Sequence, residues 1–229
     1  MHAGVLWFVS DVHLSDSKPR MTQRFFSFLY SALESDVSAI YLLGDIFEYW
    51  LGQDILPDFF SKLQVICDML HQKNIALYFL PGNRDFLLEP EIAQKLHWQL
   101  LPDYHTFTHQ HRTFLLTHGD LLCESEWLYQ LYRTFSHFSW VKKRFLALPV
   151  AWRQKIAQQL RKLSTHRSDV FKPVITQETA VRYLKQYGAD VLIHGHVHYS
   201  AVHIHKNTFL HFILPDWREF DSSPNFITW

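Results

Sequence analysis

Five short apolar runs, each closed by a cluster of polar residues, set the rhythm of the chain. Residues 5–9 lead into Ser10-Asp11-Val12-His13, and residues 39–43 into Gly44-Asp45. Residues 75–80 lead into Pro81-Gly82-Asn83-Arg84-Asp85, and residues 113–116 into Thr117-His118-Gly119-Asp120. Residues 191–193 lead into His194-Gly195-His196-Val197-His198. Each run is short, rich in β-branched or aromatic residues and bounded by turn formers, so each predicts a buried strand. Helical spacing near residues 22–33 and 59–71 separates the first three strands, which predicts an α/β sheet. From about residue 124 to 186 the pattern is helical, and strands return from Ala201. No internal repeat or low-complexity linker interrupts it.

A length of 229 residues suits one large domain, or one domain carrying an insertion. With 48% hydrophobic and 19% charged residues, a disordered chain is excluded. Two cysteines, Cys67 and Cys123, make no disulfide framework and suit a reducing compartment. The longest apolar runs, such as residues 145–152, fall short of the roughly 18 residues of a membrane span. The first residues, Met1-His2-Ala3-Gly4, lack the basic and apolar regions of a secretory signal.

Charge balances at 22 basic and 22 acidic residues, which argues against a general polyanion binder. The balance hides an asymmetry. Residues 127–168 contain no Asp or Glu but nine Lys and Arg, leaving 13 basic against 22 acidic residues elsewhere. The same stretch holds Trp127, Phe135, Phe138, Trp140, Phe145 and Trp152. Apolar bulk mixed with cations suits a membrane surface or an amphiphile, although a helix pair with one solvated basic face has the same composition.

Histidine is the outlier, at 16 residues. All five polar clusters follow the C-terminal end of an apolar run, where ligands bind in open α/β sheets. They supply Asp11, His13, Asp45, Asn83, His118, His196 and His198. Carboxylate, imidazole and amide oxygen suit divalent transition metals. Seven ligands exceed one tetrahedral site and suit two metals sharing a bridging carboxylate. On extended backbone, Asp11 and His13 point the same way, as do His196 and His198. Glycines beside Asp45, Asn83, His118 and His196 allow sharp turns there. His105, His109, His111, His203, His205 and His211 read as surface or core residues rather than ligands, and His194 as a support behind the ligands.

The set Asp11-x-His13, Gly44-Asp45, Gly82-Asn83, His118 and Gly195-His196-x-His198 resembles the calcineurin-like metallophosphoesterases, in order and across most of the chain. More specific stretches resemble that family's UDP-2,3-diacylglucosamine hydrolases, which serve lipid A biosynthesis. These are Leu43-Gly44-Asp45-Ile46-Phe47-Glu48, Asn83-Arg84-Asp85-Phe86-Leu87-Leu88, His118-Gly119-Asp120-x-Leu122-Cys123, Tyr129-Gln130 with Arg133, and Phe145-Leu146-Ala147-Leu148-Pro149. The pattern departs at Tyr199-Ser200 and at Pro215-Asp216-Trp217.

The resemblance implies an α/β (α+β) fold: a β-sandwich flanked by helices, one domain over residues 1–229, with a helical cap inserted at about 124–175. It implies two Mn²⁺ ions, with Fe or Zn as alternatives. Asp11, His13, Asp45 and His198 would hold one ion, and Asp45, Asn83, His118 and His196 the other. The catalytic set is then Asp45, Asn83, Arg84, His118 and His196. Substrate contacts are expected at Asn83, Arg84, Glu126, Ser164, Ser168, Lys172 and His196. Arg84 would grip phosphate oxygens, or instead pair with Asp85 or Glu48. The expected reaction splits the pyrophosphate of UDP-2,3-diacylglucosamine into UMP and 2,3-diacylglucosamine 1-phosphate. Another nucleotide or phospholipid-like phosphodiester is the alternative substrate. A peripheral, monomeric protein at the cytoplasmic face of the inner membrane, binding no nucleic acid, is expected.

Overall fold

A computed structural model describes residues 4–124, 126–168, 174–205, 208–218 and 225–229, with side chains of 162–168 left aside. The first sheet combines β1 (Val5–Val9), β2 (Val37–Leu43), β3 (Ala76–Leu80), β4 (Trp98–Leu100) and the late strand β10 (Ile227–Thr228). Its order is β10-β1-β2-β3-β4, parallel except for β10. The second combines β5 (His105–His109), β6 (Arg112–Leu116), β7 (Val191–His194), β8 (Ala201–His205) and β9 (Phe209–Ile213). Its order is β5-β6-β7-β9-β8, with β6, β7 and β9 parallel and both edges antiparallel.

Strand periodicity explains the layers. Leu6 and Phe8 of β1, with Tyr41 and Leu43 of β2, face Phe114, Leu116, Val191 and Ile193 of the second sheet. The alternate positions Trp7, Val9, Ile40, Leu42 and Phe79 face the other way. They pack on α1 (Pro19–Leu33), α2 (Phe60–Gln72) and α3 (Pro90–Lys95). Leu115 and Leu192, on the far side of the second sheet, meet α7 (Gln177–Gln186) through Ala180 and Leu184. The result is an α/β/β/α sandwich whose central strands are buried on both faces, hence their near-continuous apolar runs. α1 begins on Pro19, whose missing N–H costs nothing in the first turn. α7 begins where Thr176 Oγ1 accepts the Thr179 N–H at 3.1 Å.

The predicted strands and helices are present with shifts of one to three residues at their ends. α3 and β4 carry no signal of their own in the sequence, whereas the strand-like stretch around His105 and His109 is β5. Three- and six-residue elements are too short to display a period. Between the two halves of the chain come α4 (Trp127–Ser136), α5 (Ser139–Leu146) and α6 (Val150–Ser168). No helix among the described residues is long and apolar enough to cross a membrane.

Candidate metal centre

All seven candidate ligands lie on loops leaving the C-terminal ends of β1, β2, β3, β6 and β7. Parallel pairing brings the ends of β1, β2 and β3 to one edge, and those of β6 and β7 likewise. The backbone there is not extended. Asp11, His13, Asp45, His196 and His198 have φ of 52°, 55°, 53°, 71° and 57°. This corrects the expectation that strand geometry aligns Asp11 with His13 and His196 with His198. Left-handed backbone costs a non-glycine residue roughly 1–2 kcal/mol, and such strain collects at functional sites. Here the loops reverse immediately after the strands. The backbone N–H of Asp11 donates to Gly44 O at 3.1 Å, and that of His13 to Asp45 O at 3.0 Å. The N–H of His196 donates to Asp11 Oδ2 at 2.8 Å, while Ser10 Oγ donates to the same oxygen at 2.6 Å.

The β2 and β3 loops touch through bare backbone. A Cβ on Gly44, whose φ is 84°, would stand 2.6 Å from both Gly82 Cα and His118 Nδ1. Asp85, fully buried, locks the two loops by accepting from Ile46 N at 2.7 Å and Gly82 N at 2.8 Å. Sequence reasoning gave Asp85 no role in building the centre. Its only signal was its place at the end of Gly-Asn-Arg-Asp.

Two overlapping groups of donors result. Ligand atoms of Asp11, His13 and His198 lie within 4.8 Å of one another, as do those of Asp11, Asp45 and His118. Asp45 thus stands beside both Asp11 and His118. Asn83 Oδ1 is 3.0 Å from His118 Nε2 and 3.1 Å from His196 Nδ1. The polar atoms demand cations. Asp11 Oδ1, both ring nitrogens of His13 and His196 Nε2 are buried without a hydrogen-bond partner. His118 Nδ1 donates to Leu43 O at 2.9 Å, so a neutral ring presents its Nε2 lone pair to the Asn83 amide oxygen, a second acceptor. Two facing acceptors need a proton or a metal between them, so the residues fit a metal pair.

The titration pattern agrees. Burial pushes Asp45 up to about 7, against the pull of His118 and Arg84. Burial also opposes the charge on Asp11, but His198, His118 and His13 hold that carboxyl below its usual range. For His118, burial is outweighed by Asp45, Asp11 and Asp120, and the ring rises to about 9. Burial, with positive His118 nearby, takes His196 down to about 3.

Comparison with known proteins covers the stretch of chain that holds these residues. The chain matches the Calcineurin-like phosphoesterase family over residues 4–200. It belongs to that family. Its relatives include UDP-2,3-diacylglucosamine hydrolase from Neisseria meningitidis serogroup B, 35% identical over 92% of this chain and 89% of the relative. The enzyme of that name from Haemophilus ducreyi is 37% identical over 95% of this chain and 93% of the relative.

In this phosphoesterase, α4, α5 and α6 are fastened beside the centre by their own cations. Arg133 of α4 is buried, with Nε 2.6 Å from Asp120 Oδ2 and an Nη 2.9 Å from Asp103 Oδ1. Tyr129 donates to the same Asp120 carboxylate at 2.7 Å. Lys142 of α5 donates to Phe86 O at 3.0 Å and lies over the Phe86 ring. Arg153 of α6 is buried and pairs with Asp54 and Leu51 O. Arg161 reaches Glu48 at 3.4 Å. Four of the nine cations in this stretch therefore have structural partners. The apolar side chains divide differently: Trp127, Trp140 and Trp152 are 66%, 59% and 64% exposed.

Arg84 pairs with Glu48 and lies 3.4 Å from Asp45 Oδ2, while its backbone N–H donates to Asp45 Oδ1 at 2.9 Å. Asp85, the other expected partner, is instead committed to backbone amides. Glu126 opens α4, and its carboxylate lies within 4.8 Å of ligand atoms of His196 and Cys123. Ser164 and Ser168 fall on α6, but their side chains lie outside the described residues, as does Lys172 altogether. Cys67 and Cys123 are both buried free thiols.

Proposed function

We propose that this phosphoesterase hydrolyses the pyrophosphate of UDP-2,3-diacylglucosamine to UMP and 2,3-diacylglucosamine 1-phosphate, a step of lipid A biosynthesis. The observation carrying this reading is the placement of a seven-ligand centre beside three helices that expose tryptophans and are fastened to its loops. A substrate with an anionic pyrophosphate and two acyl chains matches both parts. The names of the relatives support the same substrate.

Asp11, His13, Asp45 and His198 would hold one ion, and Asp45, Asn83, His118 and His196 the other; Mn²⁺ suits this oxygen and imidazole set. When bound, the two ions supply positive charge to phosphate oxygens and acidify water. The chain's residues position the substrate. Arg84 exchanges part of its grip on Glu48 for a phosphate oxygen, to which it offers paired N–H groups. Water adds to the phosphorus on the nucleoside side, and the bond to the lipid phosphate breaks. Glu126, Ser164, Ser168 and Lys172 are proposed to complete the substrate site. The helices 127–168 form the cap of a single domain and rest, in a monomer, against the cytoplasmic face of the inner membrane. Each 100 Å² of acyl surface removed from water contributes roughly 2.5 kcal/mol before ordering costs.

Incubation with Mn²⁺ and diacyl UDP-glucosamine should release UMP, and EDTA should stop it. Release from a water-soluble UDP-sugar at an equal kcat/KM would overturn the acyl requirement. Undiminished turnover after metal stripping would overturn the metal centre.

A further inference from the structure

A further group of donor atoms converges beside the metal pair. Ligand atoms of Cys123, Glu126 and His196 all lie within 4.8 Å of one another. Two local features bring them there. The N–H of Glu126 donates to Cys123 O at 3.1 Å, a turn that draws the two residues together at the start of α4. Gly119 lets the loop after β6 press on the loop after β7. Its φ is 117°, and a Cβ there would stand 2.9 Å from Gly195 O and 3.2 Å from His196 Cβ. Cys123 is fully buried, and its thiol donates to Gly119 O across a long 3.7 Å.

His196 is divided between two places. Its Nδ1 lies 3.1 Å from Asn83 Oδ1, among the ligands of the metal pair. Its Nε2 is buried and has no hydrogen-bond partner. A neutral imidazole carries one lone pair and one N–H. When Nδ1 serves the metal pair, Nε2 holds a proton that no acceptor takes. When Nε2 binds an ion, the proton moves to Nδ1 and the metal pair loses a ligand. Donor atoms on a tetrahedral Zn²⁺, with bonds of about 2.0–2.3 Å, stand roughly 3.3–3.7 Å apart. Closing to that spacing from 4.8 Å asks each donor to move by under about 1 Å. Thiolate favours Zn²⁺ and Co²⁺ over Mn²⁺ or Mg²⁺. Burial, and then the charges of Glu126 and Asp120, raises the Cys123 thiol above its ordinary range, so the proton leaves to water only as the sulfur–metal bond forms.

We infer that Cys123, Glu126 and His196 form an inhibitory site for one zinc-class ion, which withdraws His196 from the metal pair and Glu126 from the substrate. Water takes the fourth position. The site stands on its own donors. The inhibition rests on the reading of His196 as a ligand of the metal pair and of Glu126 as a substrate contact.

Two readouts separate the site from its effect. Co²⁺ added to the full chain in the presence of Mn²⁺ should give a near-ultraviolet thiolate-to-cobalt band that saturates at one equivalent. The chain's other cysteine, Cys67, is packed in the apolar core, so the band reports Cys123 and should vanish in Cys123→Ser. Zn²⁺ titrated into Mn²⁺-dependent hydrolysis of diacyl UDP-glucosamine should inhibit the native chain at a concentration at least tenfold lower than it inhibits Cys123→Ser. Without Zn²⁺ that variant should turn over at the native rate. A native chain without the thiolate band, or an equal band in Cys123→Ser, would overturn the site. Equal Zn²⁺ sensitivity of the two chains would overturn the inhibition. A chain that releases no UMP at all speaks against the proposed substrate, and the cobalt band still decides the site.

Discussion

Arg133 Nε stands 2.6 Å from Asp120 Oδ2, a buried pair that ties α4 to the loop bearing His118. Arg133→Met leaves the Asp120 carboxylate buried without its cation, a change that costs on the order of 3–5 kcal/mol. Arg144→Ala, at an exposed position on α5, should cost under about 0.5 kcal/mol. Urea unfolding compares the two. Equal midpoints would mean that the pair does not hold the helix.

The same carboxylate makes stability depend on pH. Burial opposes its charge, but His118, Arg133, His196 and the Tyr129 hydroxyl bring Asp120 down to about 2. An unfolded aspartate titrates near 3.9, so the folded state favours the charged form. The stabilisation, roughly 2 kcal/mol, is complete above the unfolded value and fades as pH falls toward about 2. The stability difference between the native chain and Asp120→Asn should therefore shrink between pH 6 and pH 3. A constant difference would show that the charge of Asp120 is not what stabilises the fold.

Much of this was legible in the sequence, for a physical reason. Strands buried on both faces read as apolar runs, and ligands at strand ends stand next to the glycines that let loops reverse. Gly44 and Asp45 could be found without coordinates. The left-handed backbone at Asp11, His13, His196 and His198 could not, because those residue types do not announce a positive φ. Nor could the work of Arg133, Lys142 and Arg153 be seen. Their partners Asp120, Phe86 and Asp54 are 13 to 99 residues away, and a charge run looks the same whether solvated or stapled.

Binding of the metal pair should release protons. Without ions, Asp45 is raised to about 7 and His118 to about 9, so both hold protons at pH 6 that a metal must displace. Metal affinity should climb between pH 6 and pH 8, with measurable acidification of a weakly buffered solution at pH 6.5. A pH-independent affinity would contradict this assignment.

Asp45→Ala should be more damaging than His13→Ala. Asp45 stands beside Asp11 and His118 and also accepts the Arg84 backbone N–H, whereas His13 belongs to one donor group. Elemental analysis of the alanine variants should find Asp45→Ala depleted of both ions and His13→Ala of one, with turnover lower in the former. Two retained ions and near-native turnover in Asp45→Ala would remove its bridging role.

The exposed tryptophans give the sharpest test of membrane contact. Trp127, Trp140 and Trp152 leave most of their surface in water, so replacing them by serine should change the unfolding midpoint little. Burying about 100 Å² of each ring at a lipid interface contributes roughly 2.5 kcal/mol. Lys143, Arg144 and Lys155, also exposed, add about 1 kcal/mol for each that reaches an anionic surface. The triple Trp→Ser variant should lose at least a hundredfold in affinity for vesicles containing anionic phospholipid, and what remains should fall with salt. Hydrolysis of a small artificial phosphodiester should survive, because the seven candidate ligands lie on other loops. Equal vesicle binding by the native chain and the variant would assign these rings to the substrate's acyl chains instead. The loss would then show only as a higher KM for the diacyl substrate in detergent.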